Sequence, residues 1–228
     1  MESVASWGRI NRVSNAGWVV IVPIKPLERG KTRLRGAVPD AAHPDLVLAM
    51  AMDTVTAATA CAAVSGIVVV TDDARVRAAL SAAGAHCVPD RPGQGLNAAL
   101  RFGAATATGP VAALTADLPA LRPTDLARAL GRLPAPQRAF VADAGGLGTV
   151  LLTAPSAAEF DPHFGPDSAA AHRASGAIEL RGGWQSLRRD VDTPADLAAA
   201  IALGLGPTTT AVLNAGSAER ADSVQGWV

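Results

Sequence analysis

The sequence predicts an α/β protein with a mostly parallel central sheet. Short apolar runs rich in Val, Ile and Leu recur along the chain, as is typical of strands buried on both faces. Between these runs lie longer segments with apolar and small residues at helical spacing, many opened by proline and closed by glycine. A regular alternation of strand and helix favours parallel strands joined by right-handed crossovers.

Six apolar runs predict the strands. The first, from Trp18 to Ile24, is β-branched and ends at a polar loop, as expected of a buried first strand. The second ends in Thr71-Asp72-Asp73, and the fifth and sixth flank a glycine-rich turn. In chain order, the predicted strands after the first are 67–70, 86–88, 111–114, 139–142 and 150–153.

Helices are predicted between these strands and after the last of them. Pro44 stands near the start of the first helix, and Pro123 precedes the fourth, both favourable positions for proline. Gly84 and Gly176 close the second and fifth helices. The predicted helices are 44–63, 74–83, 95–107, 125–133, 168–175 and 194–203.

The domain organisation follows from composition. The 228 residues are 49% hydrophobic and 18% charged, which suits one domain with a sizeable core. We assign that domain to residues 17–206, after a flexible leader at 1–16. Beyond Gly206 the chain is polar and without periodicity, so residues 207–228 are predicted to form a flexible tail.

Charge and hydropathy exclude several classes of partner. Lys plus Arg and Asp plus Glu both number 20, so no global basic field draws the chain to nucleic acid or anionic membrane. No apolar run reaches the roughly 18 residues of a membrane span. The first 15 residues lack a signal-like apolar core, and the two cysteines are typical of reduced thiols. We therefore expect a cytoplasmic protein, with its oligomeric state left open.

Three aspartates predict a metal site. Asp190 and Asp192 are two residues apart, which on an extended strand places both carboxylates on one face. Asp117 follows the buried strand at 111–114. Hard divalent cations such as Mg²⁺ prefer oxygen ligands and often bridge to substrate phosphates. Two alternatives stand beside this interpretation: Asp192 or Thr193 as a helix cap, and pairing of the acids with the arginines at 188 and 189.

A basic loop follows the first strand. Gly30-Lys31-Thr32 resembles the end of a Walker A motif, but Lys25 occupies the position where that motif needs glycine. The P-loop interpretation therefore fails. The loop still lies at the carboxyl edge of a strand, where open α/β sheets bind ligands. Lys25, Lys31 and Arg33 would neutralise a triphosphate and stabilise charge during phosphoryl or nucleotidyl transfer; the alternative is a solvated turn.

Three further loops offer candidate binding residues. Asp90, Gly95 and Asn97 lie between a strand and a helix, where Asn97 offers a donor and an acceptor to a base edge. The alternative is a glycine turn with Asn97 as a cap. Further on, Thr149, Gly165 and Ser168 would hold a small anionic substrate, with Ser168 opening a helix. The alternative is that Ser168 is only a helix cap and Thr149 only a strand residue. His172 lies four residues after Ser168 and is more typical of a structural histidine.

Together these segments resemble the family that transfers a guanylyl group onto 2-phospho-L-lactate or phosphoenolpyruvate in coenzyme F420 biosynthesis. The similarity runs from Trp18 to Gly206. Its pieces, in order, are VPIKPLERGKTRL, AMDTV, VVVTDD, DRPGQGLNAAL, ALTADLPAL, DAGGLGTVLLTA, FGPDSAAAH and LRRDVDTPADL. The sequence departs from the family at Gly30-Lys31-Thr32, where Ala-Lys-Ser is commoner, and at Asp167, where Gly is frequent.

This resemblance implies a single-domain, nucleotidyltransferase-like three-layer sandwich that uses GTP and Mg²⁺ and releases pyrophosphate. It implies Asp117, Asp190 and Asp192 as metal ligands, with Asp117, Lys25 and Lys31 in catalysis. It places the phospho-acid at Thr149, Gly165 and Ser168. The nucleotide half would comprise Lys25, Lys31, Asp90, Gly95 and Asn97, and phosphoenolpyruvate is the expected acceptor. Two alternatives remain: another Mg²⁺-dependent nucleotidyltransferase of this fold, or a non-catalytic nucleotide-binding protein.

Overall fold

A computed structural model describes residues 17–91 and 93–225. The predicted leader at 1–16 lies outside the described residues. The described chain forms one seven-stranded sheet with helices on both faces. This confirms the predicted α/β class and the three-layer arrangement. None of the helices in these ranges combines the length and apolar character needed to cross a membrane.

All strands but one run in the same direction. The order across the sheet is β3-β2-β1-β4-β6-β5-β7, and β6 is antiparallel to both of its neighbours. The strands are β1 (Trp18–Pro23), β2 (Val64–Val70), β3 (His86–Val88), β4 (Val111–Leu114), β5 (Ala139–Ala142), β6 (Thr149–Ala154) and β7 (Ile178–Glu179). The sheet is therefore mostly parallel, as the sequence predicts.

Eight helices cover the described part of the sheet and its edges. The segment between β1 and the first helix, residues 24–42, contains three short 3₁₀ turns and carries the basic residues. The helices are α1 (His43–Thr59), α2 (Ala74–Ala82), α3 (Leu96–Ala104), α4 (Pro123–Leu130), α5 (Ser168–Ala174), α6 (Gln185–Arg188), α7 (Pro194–Leu203) and α8 (Pro207–Gln225).

The core is divided by the sheet. Along β1, Val20 and Val22 face the layer that contains α1, α2 and α4, whereas Val19 and Ile21 face α3 and α5. The glycine at 103 lets α3 approach closely, because a Cβ there would lie 2.7 Å from methyl carbons of Ile21 and Val70. A third apolar cluster packs the basic segment against α1, α7 and α8.

The chain order explains where a ligand would bind. The chain proceeds from β1 to β2 and β3 on one side, and then returns to place β4 on the other side of β1. Such a reversal opens a crevice at the carboxyl ends of the strands, the usual ligand site of open α/β sheets. The loops after β1 and β4 meet at this crevice.

Three elements differ from the sequence prediction. One is the four-residue helix α6, for which the sequence predicts no helix. Residues 207–225 of the predicted flexible tail (207–228) form helix α8, which packs on α1; the last three residues of that prediction lie outside the described residues. The carboxylate of Asp53 on α1 caps this helix, accepting from the N–H groups of Thr208 and Thr209 at 3.1 and 2.8 Å. The two-residue strand β7 pairs with β5 at the sheet edge, and exposed Ile178 gives it no buried-strand pattern.

Candidate active site

A cavity of about 380 Å³ at the carboxyl ends of β1 and β4 is the candidate site. Its wall is mostly apolar, with a cluster of charged groups on one side. Lining residues come from the end of β1 and the basic segment (Pro23, Ile24, Lys25, Gly30, Lys31), α1 (Val47, Met50, Ala51), α3 (Leu96, Leu100), β4 and the loop after it (Ala113 to Asp117), Phe164 and Asp192.

Lys31 is the centre of the charged cluster. Its Nζ donates to Oδ2 of Asp117 and to Oδ1 of Asp192, and only 15% of its side chain is exposed. Burial alone would lower the pKa of Lys31, but the two carboxylates outweigh burial and hold its pKa above the ordinary value. The lysine is therefore a fixed positive charge beside the cavity.

Asp190 completes the cluster of three predicted acids. Its backbone neighbour Val191 is fully buried and donates its N–H to the carbonyl of Asp117 at 3.0 Å. Burial, together with the charges of Asp117, Asp143 and Asp192, raises the pKa of Asp190 to about 7. The segment 190–192 is not a strand of the sheet, in contrast to the extended strand that the spacing suggested. The two separated segments thus meet as the sequence predicts.

The loop that carries Asp117 is anchored by a buried threonine on α1. The Thr54 hydroxyl contacts the carbonyl of Ala116 at 3.2 Å and accepts from the N–H of Leu118 at 3.0 Å. It also bonds the Met50 carbonyl at 2.8 Å, one turn earlier in the helix. These bonds lie on both sides of Asp117, so α1 determines where its carboxylate points. His43 similarly contacts the carbonyl of Gly30, at 3.0 Å, just before Lys31.

Two described residues other than glycine have left-handed backbone geometry, and one of them, Lys31, lines the main cavity. In the described ranges, Lys31 and Asp167 are the two residues other than glycine with positive φ, at 51° and 52°. This left-handed conformation is unfavourable for residues with a Cβ and is common at binding sites.

The cluster does not form a ready-made metal site. Within 17–91 and 93–225, no three His, Cys, Asp or Glu side chains are arranged to hold a metal ion as they stand. The Lys31 ammonium occupies the position between two of the acids. Yet Oδ1 of Asp117 is buried and has no hydrogen-bond partner in the described chain, and Asp190 faces three other carboxylates. The cluster therefore has unsatisfied capacity to bind a cation.

The structural alternatives for the acids are resolved. Thr193, and not Asp192, caps α7 through a reciprocal capping box with Asp196. Arg188 donates to the carbonyls of Ala142 and Asp143 at 3.0 and 2.6 Å. Arg189 lies 3.7 Å from Asp196. The proposed pairing of these arginines with Asp190 and Asp192 is therefore wrong, and neither acid is used as a cap.

The predicted nucleotide-binding residues do not all lie at one cavity. A smaller cavity of about 70 Å³ adjoins the first and is lined by Lys25, Asp72, Asp90 and Gly95, among others. Oδ1 of Asp90 is buried there and has no hydrogen-bond partner in the part of the chain described. Lys25 lines both cavities. Arg33 is exposed on a 3₁₀ turn away from both cavities, so its contact to a triphosphate stays a prediction.

Asn97 makes a different contact from the predicted one. Its Nδ2 donates to the carbonyl of Phe164 at 2.9 Å, and its Oδ1 accepts from the N–H of Phe164 at 2.8 Å. The side chain thus joins α3 to the loop that precedes α5. A contact from Asn97 to a base edge stays a prediction that this geometry does not favour.

The three predicted phospho-acid residues lie around the start of α5. Thr149 and Ser168 are buried at the first residues of β6 and α5, and Gly165 lies on the connecting loop with φ of 146°. His172 lies within hydrogen-bond distance of the Thr149 hydroxyl, 2.9 Å from Nδ1. Its Nε2 accepts from the N–H of His163 at 2.9 Å. Nδ1 must therefore carry the ring proton, which makes His172 a donor to Thr149.

Sequence reasoning missed three residues of this site. Thr115 lines the main cavity with a buried hydroxyl that has no partner among the described residues. It stands two residues before Asp117, so the spacing used for Asp190 and Asp192 would have identified it. Phe164 forms part of the cavity wall. Thr54 gave no sequence signal, because its contacts with the 116–118 loop span more than 60 residues.

Comparison with known proteins identifies the family. Residues 34–180 match the MobA-like NTP transferase domain. A protein of Salinispora arenicola named phosphoenolpyruvate guanylyltransferase is 57% identical over 84% of this chain and 91% of its own length. Proteins of the same name from Streptomyces coelicolor and Mycobacterium ulcerans are 54% and 46% identical. They cover 86% and 85% of this chain, and 95% and 92% of their own.

Solved structures agree on the fold. A nucleotidyl transferase from Methanothermobacter superposes with a TM-score of 0.61 at 18% sequence identity. The match covers 83% of this chain and 98% of that one. The aligned sequence, the three-layer fold and the acid cluster at its crevice lead to one conclusion: the chain belongs to the phosphoenolpyruvate guanylyltransferase family of MobA-like NTP transferase domain proteins.

Proposed function

We propose that this protein transfers a guanylyl group from GTP to phosphoenolpyruvate and releases pyrophosphate. The observation that carries the proposal is the Lys31 ammonium held between Asp117 and Asp192 beside a cavity of about 380 Å³. Relatives at 46–57% identity are named for this activity. Buried, opposed charges beside a cavity are suited to binding a polyphosphate and stabilising charge during its cleavage.

The two cavities suggest where the phosphates and the base of GTP would bind. Lys25 lines both of them and would lie against the phosphates, together with Lys31. The unpartnered carboxylate oxygen of Asp90 in the small cavity is an acceptor. Guanine presents N–H donors on its Watson–Crick edge, whereas adenine presents an acceptor at the equivalent ring nitrogen. Asp90 would therefore favour guanine, and Gly95 would let the base approach the start of α3.

The acid cluster supports the use of Mg²⁺. We infer that Asp117, Asp190 and Asp192 hold the cation, because they provide hard oxygen ligands that include a buried, unpartnered oxygen. Held by these three aspartates, Mg²⁺ would supply positive charge that offsets the negative charge of the substrate phosphates. Lys31 now neutralises two of these acids; with the cation present, its ammonium would be available to the phosphates of GTP.

The chemistry needs little else from the protein. A phosphate oxygen of phosphoenolpyruvate would attack the α-phosphorus of GTP in line, forming one P–O bond while the bond to pyrophosphate breaks. The attacking phosphate is already an anion, so no general base is required. Thr149, Gly165 and Ser168 would position the phospho-acid, and the lysines would stabilise the charge that accumulates on the leaving pyrophosphate.

The reaction would belong to coenzyme F420 biosynthesis, as the family resemblance implies. The most specific part of the proposal is the identity of the acceptor. Phosphoenolpyruvate is favoured by the names of the relatives, while 2-phospho-L-lactate differs from it by two hydrogens added across the carbon–carbon double bond and presents the same phosphate and carboxylate. The two acids would therefore compete for the same residues.

Pyrophosphate release tests the proposal directly. The purified protein would be incubated with Mg²⁺, either GTP or ATP, and either phosphoenolpyruvate or 2-phospho-L-lactate. We expect release with GTP and phosphoenolpyruvate that stops when EDTA is added and falls strongly with ATP. Faster release with 2-phospho-L-lactate would reassign the acceptor. GTP binding without release for either acid would favour a non-catalytic nucleotide-binding protein.

A further inference from the structure

The loop between β6 and α5, residues 160–167, is fixed by side chains from outside it. We propose that Asn97 is a positioning residue for this loop and, through it, for the phospho-acid, instead of a contact to the nucleotide base. The inference rests on the proposed function, because it concerns how the acceptor side of that site is built. It assigns Asn97 to the acceptor half of the reaction.

Both polar atoms of the Asn97 amide are committed to the loop. The Phe164 backbone donates to Oδ1 at 2.8 Å and accepts from Nδ2 at 2.9 Å. Paired bonds of this kind fix both the position and the orientation of one peptide unit. They connect residues 67 positions apart in sequence, so they determine a tertiary arrangement and not a local turn.

The neighbouring residues of α3 face elsewhere. Leu96 and Leu100 line the main cavity, and Gly95, Leu96 and Ala99 line the smaller one. Asn97 lies on the face of the helix that meets the loop. One turn later on this face, Arg101 donates to Oδ1 of Asp161 at 3.1 Å and to the carbonyl of Pro162 at 3.4 Å. This face of α3 therefore holds the loop at two points.

The position of Phe164 has direct consequences for the site. Its side chain lines the main cavity, and Gly165, a predicted phospho-acid residue, follows it at once. The ring of Phe164 packs edge-on against that of His172, with centroids 5.1 Å apart. His172 in turn donates to Thr149. A shift of the Phe164 backbone would thus disturb the cavity wall, Gly165 and the partner of Thr149 together.

Steady-state kinetics of Asn97→Ala test this assignment. Loss of two hydrogen bonds should raise the KM for phosphoenolpyruvate about tenfold or more, and the KM for GTP by a clearly smaller factor, because Phe164 also lines the main cavity. Asn214→Ala is the matched control, since it removes the same side chain from an exposed position on α8. A rise in the KM for GTP with an unchanged KM for phosphoenolpyruvate would overturn the proposal and restore a base contact.

A second variant and a second measurement distinguish a local effect on the loop from misfolding of the whole protein. Asn97→Asp keeps the acceptor for the Phe164 N–H and loses the donor to its carbonyl, so its KM for phosphoenolpyruvate should also rise. Hydrogen exchange of the Phe164 amide should be faster in Asn97→Ala than in the unchanged protein. Wild-type protein without pyrophosphate release would refute the proposed function; active wild type with unchanged kinetics in both variants would refute only the role of Asn97.

Discussion

At the scale of single residues, Lys31 has two properties that rarely occur together. It adopts left-handed backbone geometry, and its ammonium is largely buried between two carboxylates. Either property costs free energy, so both are expected where function maintains them. The carbonyl before it is held by His43, which restricts where the side chain can reach. Lys31 is therefore held beside the cavity, where we propose that its ammonium meets the phosphates of GTP.

We predict that Lys31→Ala lowers kcat for pyrophosphate release by about 100-fold or more, the usual effect of removing one charge-stabilising donor. Arg35→Ala is the matched control, because Arg35 is an exposed cation of the same segment. Initial rates at saturating GTP and phosphoenolpyruvate measure the effect. Equal rates for the two variants would show that Lys31 only neutralises the acids.

His172 makes stability depend on pH. Burial, then the charges of His163 and Arg138, lower the pKa of His172 to about 4, against an opposing influence of Asp161. Its ordinary pKa is about 6.5, so between pH 6.5 and 4 the unfolded chain binds more protons than the folded one. Stability should be fully present above pH 6.5 and decrease, by an amount on the order of 3 kcal/mol, as the pH falls to 4.

Urea unfolding between pH 4 and 8 would measure this dependence, with His172→Gln as the comparison. The variant should have a flatter profile between pH 4 and 6.5, because the buried imidazole that must stay neutral is gone. Parallel profiles for the two proteins would show that other groups cause the loss of stability.

At the scale of elements, helix α8 depends on a distant cap. Asp53 lies in α1 and is buried. Its two carboxylate oxygens accept hydrogen bonds from the first N–H groups of α8, a helix some 155 residues later in the sequence. Gly206 permits the approach, since a Cβ there would lie 2.3 Å from Cγ of Asp53. The helix N-terminus and the carboxylate also attract each other electrostatically.

We predict that Asp53→Ala lowers the free energy of unfolding by about 1–2 kcal/mol and exposes α8 to proteases. Asp45→Ala is the control on the same helix, because Asp45 only forms an exposed ion pair with Arg75 and should change stability little. Urea unfolding and limited proteolysis give the readout. Resistance of α8 in Asp53→Ala equal to that of the control would contradict the capping role.

The same element shows what the sequence could not predict. The six longer strands were found because buried strands carry continuous apolar runs. Helix α8 was missed because its residues lack apolar periodicity, and its docking is decided by Asp53, far away in sequence. Asn97 was assigned to the base for a similar reason: its position before a helix suggested a ligand contact, whereas its partner, Phe164, is a long-range one.

At the scale of the whole molecule, the sheet topology assembles the site. The basic segment after β1, the loop after β4 and the residues before α7 come from positions near 31, 117 and 192, and meet at one crevice. The hydrogen bond from the Val191 N–H to the Asp117 carbonyl holds segment 190–192 against the loop after β4. The position of Asp117 was predictable from the end of β4, whereas 190–192 belongs to no strand of the sheet and reaches the site through long-range contacts. The ammonium between the acids was not predictable, because its position depends on the strained backbone at Lys31.

The most direct test of the central claim is the initial rate of pyrophosphate release from GTP and phosphoenolpyruvate, with Mg²⁺ present, by Asp190→Asn. This substitution keeps the shape of the side chain and removes the charge that meets Asp117 and Asp192. If these acids and Lys31 form the catalytic centre, the rate should fall by about 100-fold or more relative to the unchanged protein. A rate within about twofold of the unchanged protein would contradict that assignment.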